Sequence, residues 1–395
     1  MAVKPQYEVA HIIQKNWDSI VNNAQFNTHQ IRMLNAVRAC RTAELGWHID
    51  ECESCGHLHL SYNSCRNRHC PKCQGKLRED WIRAQHKKLL PVKYFHVVFT
   101  IPDSLNGLCL HQPKMMYSIL FKAAWYTIKT FAADHNHLGA QTGMTAILHT
   151  WGQNLSLHPH LHCVIPAGGM TKHKKWNQAK SKGKFLFPVK AMSVVFRARF
   201  VHLLRKEAKT ESVTVSSSFY DQLFKKKWVV FAKQPFLGAA QIIEYIGRYT
   251  HKIAISNHRI RKVENGKVYF QYKDYRQNAK KLVMALDEME FVRRFSLHIL
   301  PLRFIRIRHF GLLHSRSKYP IADVIEAIRK SGVGQNSDLA KLPFLSSPKE
   351  YVPRCPVCKK GRMLILAIGT GRDPPPDIKA INKLRSAQNR NAVIA

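Results

Sequence analysis

Two cysteine pairs, Cys52-x-x-Cys55 and Cys70-x-x-Cys73, are separated by fourteen residues, close to the spacing at which four thiolates enclose a tetrahedral zinc ion. Two residues between ligands let a tight turn present both sulfurs to one ion, and four sulfurs close the shell, so this ion would be structural. Cys65, His69, His48 and His57 lie near enough in the chain to replace one ligand or to build a second centre. A further pair, Cys355-x-x-Cys358, has no second half nearby; it is either half of a ribbon completed from elsewhere or simply two thiols. A different chemistry is offered by His158-Pro159-His160-Leu161-His162, with imidazoles at i, i+2 and i+4. In a strand these share one face while Leu161, Cys163 and Ile165 take the other. Imidazoles at that period can hold a divalent ion, and an ion with open positions polarises a phosphodiester oxygen. The third constellation is Tyr245 and Tyr249, one turn apart in Gln241–Thr250 and therefore on one helix face. A free phenol titrates near ~10, so a nucleophilic tyrosine needs positive charge or a base beside it; Arg248, His251, Lys252 and Arg259 offer that charge. Alone, two tyrosines on an amphipathic helix describe a core pair equally well. The neighbouring cations and histidines are what point to catalysis.

These side chains need elements to position them. Between His11 and Arg41, Ile12, Ile13, Trp17, Ile20, Val21, Ile31, Leu34 and Val37 recur at three and four residues, which predicts two short helices leading into the cysteines. The stretch from Cys52 to Cys73 has little apolar periodicity, so a bound metal must order it. A basic helix is expected over Leu77–Leu90, a buried strand over Lys93–Ile101 and a helix over Met115–Asp134. Strands follow at Thr145–Thr150 and Leu161–Ile165, the latter stopped by Pro166 and Gly168-Gly169. Further expectations are a basic helix at Met192–Lys209, a short strand at Trp228–Ala232 and a helix at Ala239–Thr250. Asn265-Gly266 between Ile260–Val263 and Val268–Tyr272 is a hairpin signal. Strands and helices without strict alternation imply an α+β fold. No repeat of fixed period is present, and Gly369–Asp377 reads as an extended linker before a polar tail.

The chain has 395 residues, of which 63 are Lys or Arg and 25 Asp or Glu, for a formal charge of +38. That excess implies a polyanionic partner, nucleic acid first of all. A hydrophobic content of 45% excludes a disordered basic tail. No apolar run approaches the ~20 residues of a membrane span, and the first residues do not read as a secretory signal, so cytoplasm or nucleoid is the expected compartment. Arg303, Arg306 and Arg308 alternate with Phe304, Ile305 and Ile307, a pattern suited to a phosphate-binding basic face backed by apolar packing. Lys172, Lys174 and Lys175 beside Trp176 form a second such stretch. Arg66-Asn67-Arg68-His69, inside the cysteine loop, suits phosphate contacts or a solvated surface.

The cysteine cluster, His158-Pro159-His160-Leu161-His162 with Gly168-Gly169, and Tyr245-Ile246-Gly247-Arg248-Tyr249-Thr250-His251-Lys252-Ile253-Ala254-Ile255-Ser256-Asn257 together closely resemble the insertion-sequence-ninety-one family of rolling-circle transposases. The resemblance spans roughly His11 to Arg316. It implies an N-terminal zinc-binding domain over 1–91, then an HUH endonuclease domain over 92–318 with a central antiparallel sheet flanked by helices. A C-terminal region over 319–395 lies beyond the matching motifs. His160-Leu161-His162 corresponds to the two histidines flanking a hydrophobic residue that name HUH enzymes, and Tyr245 and Tyr249 to the two nucleophiles. The implied activity is a nick in single-stranded DNA at an element's ends through a 5′-phosphotyrosine, followed by rejoining. His160 and His162 would then bind Mg²⁺ or Mn²⁺, with His158 the first choice for third ligand and Gln153 and His149 the alternatives. Arg248, Lys252, Arg303, Arg306 and Arg308 would contact DNA. A plasmid replication initiator or relaxase shares this chemistry. A non-catalytic zinc-containing regulator would account for the charge and cysteines but not for the histidines and tyrosines.

Overall fold

The computed structural model describes residues 5–74, 89–180, 186–236, 253–274, 277–333 and 354–378, together with residues 82, 247 and 381. Three short helices, α1 (Val9–Lys15), α2 (Trp17–Val21) and α3 (Thr28–Arg38), open the chain. Sequence reading expects two; Asn16 divides the first stretch, its amide donating to the Ile12 carbonyl at 2.9 Å. Asn27 starts α3 through a reciprocal cap, accepting from Gln30 N at 2.9 Å while the Gln30 side chain accepts from Asn27 N at 3.0 Å. A hairpin follows, β1 (Trp47–Cys52) and β2 (Leu58–Tyr62). Next come β3 (Tyr94–Thr100), α4 (Asn106–His111), α5 (Pro113–Ala133), β4 (Gly143–Trp151) and β5 (Leu157–Pro166). The small pair β6 (Gly168–Met170) and β7 (Trp176–Gln178) precedes α6 (Val189–Thr210), α7 (Ser217–Lys225) and β8 (Val229–Phe236). The chain continues through β9 (Ile260–Glu264), β10 (Lys267–Asp274), β11 (Lys280–Asp287), α8 (Glu288–Ser296) and β12 (Ile307–Gly311). It closes with α9 (Ile321–Lys330) and β13 (Met363–Gly369). The mixture is α+β, as expected.

A central sheet of order β12-β4-β5-β3-β8 is antiparallel throughout. Alternation along each strand gives it two unlike faces. Phe95, Val97 and Phe99 of β3, Leu161, Cys163 and Ile165 of β5, and Ala146 and Leu148 of β4 point into a core shared with α5 and α6. Each large apolar side chain so buried contributes about 1.5–3 kcal/mol, which fixes the strand register. The opposite face therefore receives every second residue: His96, Val98 and Thr100 from β3, His160 and His162 from β5, and Ile147 and His149 from β4.

The expected turn at Asn265-Gly266 joins β9 to β10, with φ of 49° and 71° at its two residues, both left-handed as a tight I′ reversal requires. The sheet β9-β10-β11 and α8 share a core with α1 and α3: Val9, Ile12, Leu34 and Val37 pack with Phe270, Phe291 and Phe295. Polar bonds fix that contact. Val9 N donates to Asn257 Oδ1 at 3.1 Å, and Lys15 and Asn16 both reach the Glu288 carboxylate at 2.7 Å.

The third sheet, β13-β1-β2, joins the two ends of the described chain. Gly369–Asp377 is accordingly not a free linker: Trp47 Nε1 donates to the Asp373 carbonyl at 3.0 Å, and Asp373 caps the turn at Thr370. The helix expected at Ala239–Thr250 and most of that at Leu77–Leu90 lie outside the described residues. Among the described residues, no helix is long and apolar enough to cross a membrane.

Candidate active site and metal centres

On the face of the central sheet opposite the helices, His149, His160 and His162 each bring one ring nitrogen within 4.8 Å of the others. His149 and His160 are direct cross-strand partners. The rings of His149 and His162 lie 4.4 Å apart, and those of His160 and His162 4.9 Å. His160 Nδ1 is 2.6 Å from the His158 carbonyl; a carbonyl only accepts, so Nδ1 carries the proton and Nε2 is the nitrogen that could take a ligand role. His149 is held by stacking on Trp151, centroids 4.6 Å apart and planes 19° off parallel.

The cluster contains His149, one of the expected alternatives, and not His158, the first choice for third ligand. His158 shares the face but lies outside the cluster, exposed, its ring 5.2 Å from that of His160. Strand geometry explains why: residues four apart in a strand stand ~13 Å apart, too far for His158 and His162 to meet at one ion, whereas a cross-strand partner stands ~5 Å away.

His96, on the neighbouring strand, is a contributor that sequence reading misses. Its Nε2 is 2.9 Å from Nδ1 of His162, and the two rings stack at 5.1 Å. Burial, with the charges of Lys233 and His160 nearby, pushes the His96 pKa down to about 3. A neutral His96 can accept from His162 Nδ1–H and leave Nε2 of His162 for a cation, the orienting hydrogen bond that metal-bound histidines usually have. The signal was in the sequence: one histidine inside the apolar strand Tyr94–Thr100.

Tyr245 and Tyr249, and with them Arg248 and Lys252, lie outside the described residues. Of the other expected DNA contacts, Arg303 is exposed in a left-handed turn with φ 58°. Arg308 lies over the Phe121 ring at 4.3 Å and the Phe304 ring at 5.1 Å. Arg306 does not form part of a basic face. It is 8% exposed and lines a small cavity with His69, Trp151 and His298, while Leu302 and Ile305 stand out at 70% and 65%. Burial alternates from Arg303 to Arg306, and Arg306, an odd step from exposed Arg303, falls in the inward register of Phe304. Burial, with Arg68 nearby, lowers the Arg306 pKa to about 10, so it remains charged at neutral pH.

The four cysteines expected in one shell divide between two. Cys40, Cys65, Cys70 and Cys73 form one cluster, and Cys52, Cys55, Cys355 and Cys358 another. The β1–β2 hairpin separates them. Cys52 and Cys55 sit at its tip, whereas Arg41 N to Asn63 O at 3.0 Å closes its base and brings Cys65 to Cys40. Five strand residues put tip and base ~17 Å apart. In the first cluster, Sγ of Cys73 is 3.5 Å from that of Cys40 and 3.6 Å from that of Cys65. A tetrahedral shell with Zn–S near 2.3 Å requires sulfur separations of about 3.8 Å, so the donor set fits zinc. Arg68, in the loop between these ligands, is not a solvated phosphate contact: its guanidinium donates to the Phe304 and Pro301 carbonyls. His69 accepts from Leu300 N at 3.4 Å. The loop thus grips the turn that leads into β12.

Two protein families match successive segments of the chain. The family described as "Transposase zinc-binding domain" matches residues 12–101, which contain the whole first cluster, and the family described as "Putative transposase" matches residues 143–319, which contain all three clustered histidines. The chain is 38% identical over 399 residues to the "Putative transposase y4qJ" of Sinorhizobium fredii (strain NBRC 101917 / NGR234), covering 93% of this chain and 97% of that one. It is 26% identical over 376 residues to the transposase for insertion sequence element IS801 of Pseudomonas savastanoi pv. phaseolicola, covering 90% and 88%. No solved structure matches significantly. These matches define a transposase with an N-terminal zinc-binding domain. The chain belongs to the IS91 family.

Proposed function

We propose that this transposase cuts and rejoins single-stranded DNA, with Tyr245 or Tyr249 as nucleophile and a divalent cation, Mg²⁺ or Mn²⁺, held by His149, His160 and His162. The observation that carries the reading is the convergence of three imidazoles on one face of the central sheet, within the segment that matches the transposase family. Three ring nitrogens leave positions open for a phosphate oxygen, as a catalytic site needs and a closed thiolate shell does not permit. When bound, the cation would offset charge on the phosphate as it builds up during transfer.

The tyrosine phenolate attacks phosphorus in line, the bond to the 3′-oxygen breaks, and that oxygen leaves as a 3′-hydroxyl after taking up a proton. The 5′-phosphate stays esterified to tyrosine, so the same exchange run backwards rejoins DNA without a nucleotide. A second tyrosine permits a second cut while the first end is still attached. The net charge of +38 supports tight binding to a polyanion. Exposed Arg303 would be open to a DNA strand passing the turn before β12.

The test is incubation with labelled single-stranded DNA from the element's ends, with and without Mn²⁺, resolved on a denaturing gel. We expect a metal-dependent covalent adduct, lost in His160→Ala and in Tyr245→Phe/Tyr249→Phe, with DNA binding retained in the latter. An adduct that survives the double tyrosine substitution would falsify the nucleophile assignment.

A further inference from the structure

We infer that Cys52, Cys55, Cys355 and Cys358 form a second structural zinc centre, assembled from opposite ends of the chain and independent of the catalytic reading above. Two of its ligands lie beyond residue 319, outside both matched family segments.

The sulfurs are already at shell distance: Cys52 Sγ to Cys358 Sγ is 3.6 Å and Cys55 Sγ to Cys355 Sγ 3.7 Å, against about 3.8 Å for tetrahedral Zn–S₄. Those separations are far beyond the ~2.05 Å of a disulfide. An independent observation is that the two Cys-x-x-Cys turns repeat one backbone design. Ser54 N points at Cys52 Sγ at 3.4 Å, and Val357 N points at Cys355 Sγ at 3.4 Å. Gly56 N donates to the Cys52 carbonyl at 2.9 Å, and Lys359 N to the Cys355 carbonyl at 3.0 Å. The residue after the second cysteine is left-handed in both, Gly56 at φ 65° and Lys359 at φ 58°, although lysine tolerates that conformation poorly. N–H groups aimed at sulfur stabilise thiolate over thiol, and a turn that spends strain to aim them is built for a ligand.

The turns also interlock. Gly361 N lies 3.4 Å from Cys358 Sγ, and a Cβ at Gly361 would stand 2.4 Å from Cys52 Sγ, so only glycine permits the approach. Glu53 and Arg362 join the halves at 3.0 Å between side chains, and Glu53 N donates to the Arg362 carbonyl at 3.1 Å. Beyond the second turn the chain enters β13 and pairs with β1 from Cys52↔Met363 to Trp47↔Gly369. The result is a zinc ribbon in two pieces, with the ion clamping the C-terminal strand onto the N-terminal zinc-binding domain.

Cys55 is exposed, so protection of its thiol would report a bound ion and not burial. The experiment treats the zinc-loaded full-length chain with iodoacetamide and maps alkylation by peptide mass, before and after chelator. We expect Cys55 and Cys358 to be unreactive until zinc is removed. Native mass spectrometry then counts zinc in a His160→Ala background, which keeps the imidazole cluster out of the count: two ions per chain are expected, falling to one in Cys355→Ser/Cys358→Ser. Equal alkylation with and without zinc, a single ion in the unsubstituted cysteine background, retention of both ions after the serine substitutions, or disulfides at these positions would each overturn the inference.

Discussion

His96 Nε2 and His162 Nδ1 stand 2.9 Å apart across neighbouring strands, a contact that would orient His162 toward the proposed cation. Replacing His96 by Phe keeps an aromatic ring in the stack and removes the acceptor. Orienting partners of this kind are typically worth ~10–100-fold in metal affinity. Mn²⁺ affinity, read by titration calorimetry or by the electron paramagnetic resonance of free Mn²⁺, should fall by that order. An unchanged affinity would mean that His162 is not oriented through His96.

The ligand set makes a sharper demand. His149→Ala should abolish the metal-dependent DNA adduct, whereas His158→Ala should leave it within a few-fold of wild type, because His158 stands outside the cluster. The reverse pattern would restore the ligand choice that strand periodicity favours and discard the cross-strand geometry.

Arg303 and Arg306 separate DNA contact from architecture. Arg303→Ala should reduce the slope of log affinity against log salt by ~0.7, the share of one phosphate contact on single-stranded DNA. Arg306, buried beside His69 and His298, should leave the slope unaltered when changed to Met. That change should instead lower the denaturation midpoint, since it removes a buried polar side chain packed beside Trp151 and His298. A slope change in Arg306→Met with unaltered stability would place it on the DNA.

Acid stability should carry the signature of His298. Burial pushes its pKa down to about 4, with Nε2 facing the Leu155 carbonyl at 3.1 Å and Nδ1 the Thr150 hydroxyl at 3.2 Å. An unfolded histidine titrates near ~6.5, so the unfolded chain takes up the proton first. The contribution is present in full above that value and is lost as pH falls from there toward 4, amounting to ~3 kcal/mol for one such group. His298→Gln should be less stable at pH 7 yet flatter between pH 6.5 and 4 in melting temperature. A parallel pH profile for variant and wild type would remove His298 from the account.

Much of the catalytic scaffold is legible in the sequence because its signals are local. The apolar run around Phe95–Phe99, the alternation through His158–Ile165 and the Asn265-Gly266 turn each specify their element within a few residues. The sites are legible only in part, because each is closed by a residue from elsewhere. His149 enters from β4, and a one-strand pattern cannot show that it stands nearer His160 and His162 than His158 does. Cys70 and Cys73 find Cys40, not Cys52, because a hairpin intervenes whose length no Cys spacing reveals. Arg306 turns inward because it stands two residues from buried Phe304 and three from exposed Arg303, so the two arginines take opposite faces. β13 has no local signal: Met363–Gly369 shows no alternating pattern, with Leu364, Ile365, Leu366 and Ile368 all exposed, and its pairing depends on a partner at the other end of the chain.

The pairing of β1 with both β2 and β13 has a consequence for synthesis. Cys52 and Cys358 are 306 positions apart, and ribosomes add ~5–20 residues per second. The N-terminal hairpin therefore leaves the ribosome some 15–60 s before the strand that completes its sheet. Throughout that interval one edge of β1 in the nascent chain lacks its final neighbour, and a prematurely terminated polypeptide never acquires it. A shortened transposase would thus be marked at its beginning by the loss of its end, carrying an open strand edge of the kind that invites aggregation and clearance.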